Sequence, residues 1–241
     1  LGIRVNRKNI KQMKTPLTFL LSLTFLFFLS GCGEEVKKEF YDSGELKSET
    51  HYKNEKEEGL KTYWYESGKK MSEVLWENGK RKGLETTWYK SGKKSGEYHW
   101  KNGEEVGLRT VWFKSGEKFS ETHYKNGKRD GLSTYWYETG KKKSEVLWKN
   151  GKEDGLVTYW YETGEKKYES HYIKGVPDGL STYWYETGEK ETEVLWKNGE
   201  EVGLRTVWFE SGIKRFEVHY INGVSDGLST HWYESGKKES E

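Results

Sequence analysis

The chain has 241 residues, 33% of them charged and only 32% in the hydrophobic set, well below the roughly 45–50% of ordinary globular domains, which excludes one large aliphatic core. Rings supply about half of that hydrophobic fraction, with 12 Trp, 17 Tyr and 9 Phe, a content that argues against disorder. The formal charge of +2 hides a basic leader: Arg4, Arg7, Lys8, Lys11 and Lys14 are not balanced by any acid before residue 32, and beyond it both signs alternate, with no basic stripe for nucleic acid.

The first predicted element is an address. Residues 17–29 form a 13-residue apolar run, shorter than the roughly 20 needed to span a bilayer and of signal-peptide length. The run ends in Leu29-Ser30-Gly31-Cys32, which resembles the bacterial lipobox. That resemblance implies cleavage before Cys32, a diacylglycerol on its thiol, and stable anchoring by two or more acyl chains. Residues 1–31 therefore read as a lipoprotein signal peptide, with Met13 as an alternative start, and residues 32–39 as a short tether. The implied location is the bacterial cell envelope, at the outer membrane of a Gram-negative cell and otherwise on the outer face of the plasma membrane. Cys32 is the sole cysteine, so an intrachain disulfide and a multi-cysteine metal site are excluded.

Residues 40–241 repeat with a period of 24. The motif Gly-Leu-x-Thr-x-Trp has its glycine at 59, 83, 107, 131, 155, 179, 203 and 227, and Ser-Gly or Thr-Gly and Asn-Gly pairs recur at the same interval. Each unit holds two runs of strand type, such as 60–65 and 71–76, set between glycine turns, so one unit is one hairpin. The prediction is an all-β fold: an elongated array of about eight hairpins forming a twisted antiparallel meander sheet. A three-residue loop Ser67-Gly68-Lys69 opposes Thr62 to Val74. It collects Leu60, Thr62, Trp64, Val74 and Trp76 on one face, and Lys61, Tyr63, Tyr65, Glu73 and Leu75 on the other. A two-residue loop opposes Thr62 to Glu73 instead, and the former is preferred.

Little in the repeats points to catalysis. His51, His99, His123, His171 and His219 share one repeat position, about 9.6 Å or more apart, too far for one metal ion. Carboxylates and serines recur in every turn, so no acid pair or nucleophile is singled out. No enzyme activity, metal or cofactor is expected.

Two aromatic rows remain. Trp64, Trp88, Trp112, Trp136, Trp160, Trp184, Trp208 and Trp232 recur without exception and read as the structural spine. Tyr63, Tyr135, Tyr159 and Tyr183 project to the opposite face, either as a binding surface for a protein or a glycan or as a second packed row. The unit Gly-x-x-x-x-Trp-Tyr-x-x-Gly followed by an aromatic and a second glycine, as at 131–151, resembles the bacterial variant of the MORN repeat, found in proteins labelled YwqK-like antitoxins. The resemblance covers about residues 38–241 and implies an elongated sheet of stacked hairpins used as a protein-interaction or membrane-associated scaffold. A cytoplasmic antitoxin role sits badly with a lipoprotein signal. The leading expectation is a lipid-anchored, non-catalytic scaffold whose partner is another protein. A carbohydrate or cell-wall binding module using the aromatic rows is the alternative from another class, and an antitoxin-like binding protein is the reading carried by the family label.

Overall fold

The computed structural model describes residues 25–28 and 33–241. Among these residues the regular structure is all strand, in one sheet whose neighbours in sequence pair antiparallel. Glu34–Phe40 pairs with Leu46–Lys53, the latter with Gly59–Trp64, and so on hairpin after hairpin to Lys238–Ser240. Glu34–Phe40 takes up most of the stretch read as a tether. It stands one repeat before Gly59–Trp64, with Val36 in the leucine place and Phe40 in the tryptophan place, and it zips onto Leu46–Lys53 through a full ladder. Phe25–Phe28, from the apolar run, pairs antiparallel with Glu34–Phe40. Cys32 and the rest of the leader lie outside the described residues.

Two glycine turns and a bulge build each unit. Asn78 and Gly79 have φ of 51° and 75°, the two positive values that a type I′ turn requires, and Asn102, Asn126, Asn150, Asn198 and Asn222 repeat the pattern. At the other end Tyr65 N–H donates to the Lys69 carbonyl and Gly68 N–H to the Tyr65 carbonyl, closing a three-residue loop at 66–68. The glycine of Gly-Leu makes neither turn. In each unit it sits at positive φ where the ladder slips: Thr122 faces Ser133 but Tyr124 faces Arg129. Gly131 at φ 113° thus opens a bulge, which any side chain would strain.

The register departs from the preferred expectation by one residue. Thr62 opposes Glu73, and Lys61 opposes Val74. Met71 is the cause: Trp64 pairs with Lys70 and Tyr63 with Ser72, so Met71 is an extra residue on the second strand. Because side chains alternate, this slip moves Val74 and Trp76 away from Thr62 and onto the face of Tyr63. Leu60, Thr62, Trp64, Glu73 and Leu75 share the first face; Lys61, Tyr63, Ser72, Val74 and Trp76 share the second.

The buried residues are small. Along the second face Ser133 opposes Val146, Val146 opposes Val157, and Val157 opposes Ser170; all four are at most 3% exposed. Ser181 and Val194 continue the line. This row lies in a valley, with Trp148 two residues along the strand from Val146 and Tyr159 two residues from Val157. A single-layer sheet has no second layer to bury large side chains, so burial falls to short ones sheltered between taller rows. The Trp row expected as spine is half-buried throughout, a covering row and not an interior one. Consecutive hairpins are also clamped at the loop edge: Tyr41, Tyr65, Tyr137, Tyr161 and Tyr185 each donate a hydroxyl to the carbonyl of the tryptophan of the next hairpin, at 2.7–2.8 Å.

Candidate functional site

On the threonine face three stripes run the length of the array. In the first, Lys118 pairs with Glu121 at 2.7 Å and reaches over the Trp136 ring at 6.0 Å, and Lys142, Lys166, Lys190 and Lys214 do the same for the next four tryptophans. Every one of these cations has its carboxylate, so the stripe carries little net charge. Beneath it Thr62, Thr110, Thr134, Thr158, Thr182 and Thr206 are buried.

The third stripe is apolar and open. Leu60, Leu84, Leu132, Leu156, Leu180, Leu204 and Leu228 are 44–69% exposed. Each of the first six faces a leucine or histidine across the ladder: Leu75, Leu147 and Leu195, or His99, His171 and His219. His99 and His123 turn a ring nitrogen to the carbonyls of Leu108 and Leu132, at 2.7 and 3.0 Å. His99, His123, His171 and His219 are thus spread along an apolar stripe, never more than one to a hairpin, with Leu75, Leu147 and Leu195 holding that place elsewhere. Sequence reasoning sets Leu60 beside Val74 and Trp76 on a packed face and so misses this stripe. The signal is present in the unbroken Leu series, but its exposure depends on the register.

On the tyrosine face the four predicted residues separate. Tyr63 stands apart, with Lys61 Nζ 5.3 Å from its ring centre. Tyr135, Tyr159 and Tyr183 fall in one cross-strand row, Tyr135–Ser144–Tyr159–Tyr168–Tyr183. Tyr168 packs between its neighbours, 6.0 Å from Tyr159 and 4.6 Å from Tyr183 between ring centres, and Phe119 meets Tyr135 edge to face at 5.8 Å. Phe119 and Tyr168 escape a reading of the sequence, because each interrupts a repeat position held elsewhere by other residue types. Two clefts flank Tyr159. One, of about 310 Å³, lies over Ser144 and Val146 between Tyr135 and Tyr159, with Phe119, Arg129, Lys143, Trp148 and Glu153 around it. The other, of about 290 Å³, is bounded by Tyr137, Tyr159, Tyr168 and Tyr183 with Lys143, Lys167 and Glu191. Burial, then the nearby Glu153 carboxylate, raises the Tyr159 phenol above its ordinary range; burial, then Tyr168, pushes Tyr183 up to about 12. These hydroxyls are donors at neutral pH.

A family model described as MORN repeat variant matches residues 36–54, 57–78, 81–102, 129–150, 153–174 and 177–198, together more than half of the chain. The matched stretches keep the register of the repeat, each of the last five starting just after an Asn-type turn and running to the next. Residues 105–126 and 201–222, outside them, carry Val-Trp-Phe where 135–137, 159–161 and 183–185 carry Tyr-Trp-Tyr. No curated protein matches the chain.

Proposed function

The chain belongs to the MORN repeat variant family, and from that premise we propose that it is a non-catalytic scaffold that binds a partner protein along its leucine stripe, held at a bacterial cell envelope by lipid on Cys32. The observation that carries the interaction reading is the stripe itself. Seven leucines at least 44% exposed recur at one place of the hairpins, interrupted by the half-buried Leu108, and form an extended apolar surface of the kind that marks an interaction site. A partner that covers them gains about 25 cal/mol for each Å² of apolar surface removed from water, over many hairpins at once. Array length then sets reach and avidity.

Leu156→Asp with Leu180→Asp places two carboxylates mid-stripe at positions that are 52% and 54% exposed. The folded sheet is expected to persist, with unchanged far-ultraviolet circular dichroism, while partner capture from an envelope extract falls at least about tenfold, the effect of losing about 1.4 kcal/mol of binding. Undiminished capture by the double variant sinks the stripe as the contact surface. The anchor rests on the apolar run and Leu29-Ser30-Gly31-Cys32. Cys32→Ala is expected to abolish incorporation of labelled palmitate and leave an uncleaved precursor, and normal processing of that variant counts against lipidation.

A further inference from the structure

Within the stretch of the row from Tyr135 to Tyr183 the two places between tyrosines differ, and one of them is open. Between Tyr159 and Tyr183 the intervening cross-strand position holds Tyr168, which fills the gap; between Tyr135 and Tyr159 it holds Ser144. The two walls of the Ser144 slot stand two strands apart, about 9.6 Å. One ring sandwiched at ordinary contact distance on both sides takes about 7–8 Å, so the slot fits one ring of some thickness. Its floor is Ser144 and Val146, and Trp148 lines it. The Trp148 indole Nε1 is buried without a hydrogen-bond partner among the described residues, as are those of Trp76 and Trp100 at the same repeat position, so this orphan belongs to the repeat and the slot is defined by its tyrosine walls. Arg129, Lys143 and Glu153 complete the rim with both signs of charge.

We propose that this face carries a carbohydrate site, in which the Ser144 slot takes one pyranose ring of a β-linked oligosaccharide and the cleft beyond Tyr159 takes another, non-adjacent ring of the same chain. The chemistry distinguishes a sugar from the aromatic side chain of a partner. A pyranose offers apolar C–H faces to Tyr135 and Tyr159 and equatorial hydroxyls to its rim, so it stacks on the walls and also meets Ser144, Arg129 and Glu153. A phenyl or indole ring stacks equally well but leaves those polar groups unpaired. Two cations and one carboxylate on the rim offer a hydroxylated ligand both donors and an acceptor. The two clefts, each near the lower end of the roughly 300–1,000 Å³ usual for small-ligand sites, share Tyr159 as their common wall. They follow one another along the row, which suits an extended β-1,4-linked chain and not a coiled α-1,4-linked one. This site lies on the face opposite the leucine stripe, so it stands or falls apart from the partner-binding reading.

The test is calorimetric titration of the full chain with cellotetraose, chitotetraose and maltotetraose. At least one β-1,4-linked tetrasaccharide is expected to bind, with maltotetraose at least about tenfold weaker. Ser144→Tyr inserts the side chain that Tyr168 places in the next gap, and is expected to keep the thermal midpoint while weakening binding about tenfold or more; Tyr159→Ala, which removes a wall of both clefts, is expected to weaken it similarly. If Tyr159→Ala does not fold, Ser144→Tyr alone decides. Failure of both β-linked probes to bind overturns the site, as does full affinity in Ser144→Tyr. Equal binding of maltotetraose overturns the linkage preference, and binding of a tryptophan-containing peptide in place of every saccharide overturns the ligand class.

Discussion

Val157→Asp is expected to lower the thermal midpoint by on the order of 10 °C and to split the melt into two steps. Val157 is 2% exposed, faces Val146 on one side and Ser170 on the other, and lies two residues from Tyr159. A carboxylate there has no cation across the ladder, and an uncompensated charge in such a site costs about 4 kcal/mol or more; for a chain of this size each kcal/mol moves the midpoint by about 2–4 °C. In a linear array the damage is local, so the hairpins on either side are expected to melt as separate blocks. Val157→Ser is the control. Ser133 and Ser181 hold the equivalent place one repeat to either side and are fully buried, so serine is expected to cost only about 1–2 kcal/mol. Thermal circular dichroism of both variants decides the matter: an Asp variant that melts with the Ser variant shows that the small-residue valley is not where the sheet is held.

The valley is the part of the fold least legible in the sequence. The period, the hairpin as unit and the turn type at Asn-Gly can be read directly, because a type I′ turn demands two residues at positive φ and Asn-Gly supplies them. Gly68 likewise stands in the left-handed region that its loop requires, at φ 78°. What cannot be read is the extra residue at Met71. The equivalent places hold Ser95, Phe119, Lys143, Lys167, Glu191 and Arg215, a mixture without a bulge signal, so counting by twos carries straight through it. One residue of error exchanges whole rows. Val74 and Trp76 leave the threonine face, Glu73 and Leu75 join it, and the leucine stripe comes into the open. The Gly-Leu glycine misleads in a second way, since a glycine between strands reads as a turn, whereas here it opens a bulge within the ladder. On the tyrosine face the row can be read but not the slot, which depends on Ser144 lying between two tyrosines on different hairpins.

A deletion pair separates the unit of the fold from its length. Removing Gly131 to Asp154 takes out one whole repeat and joins Asp130 to Gly155, so Arg129-Asp130 leads into Gly155-Leu156 just as it led into Gly131-Leu132. The bulge glycine, the Thr158 and Trp160 places and both turns keep their order, and Ser120, which faces Tyr135 in the intact chain, meets Tyr159 in the shortened one. The shortened protein is expected to fold with an unchanged strand signature, because each hairpin contacts only its neighbours. Removing half a repeat, residues 131–142, instead joins Asp130 to Lys143. A second-type strand then follows an Asn-Gly turn directly, the Ser/Thr-Gly loop is lost, and every later hairpin runs in the reverse direction against its neighbour. Ser133 and Tyr137 go with the deleted residues, so Val146 loses its valley partner on that side and the Trp160 carbonyl loses its hydroxyl donor. That variant is expected to lose cooperative melting or to aggregate through its mismatched strands. The whole-repeat deletion also bears on the sugar site, since it removes Ser144 and brings Tyr159 beside Ser120 with Val111 as the other wall. A folded whole-repeat deletion without saccharide binding is the combined expectation, and equal stability of the two deletions would refute the register on which both the valley and the slot depend.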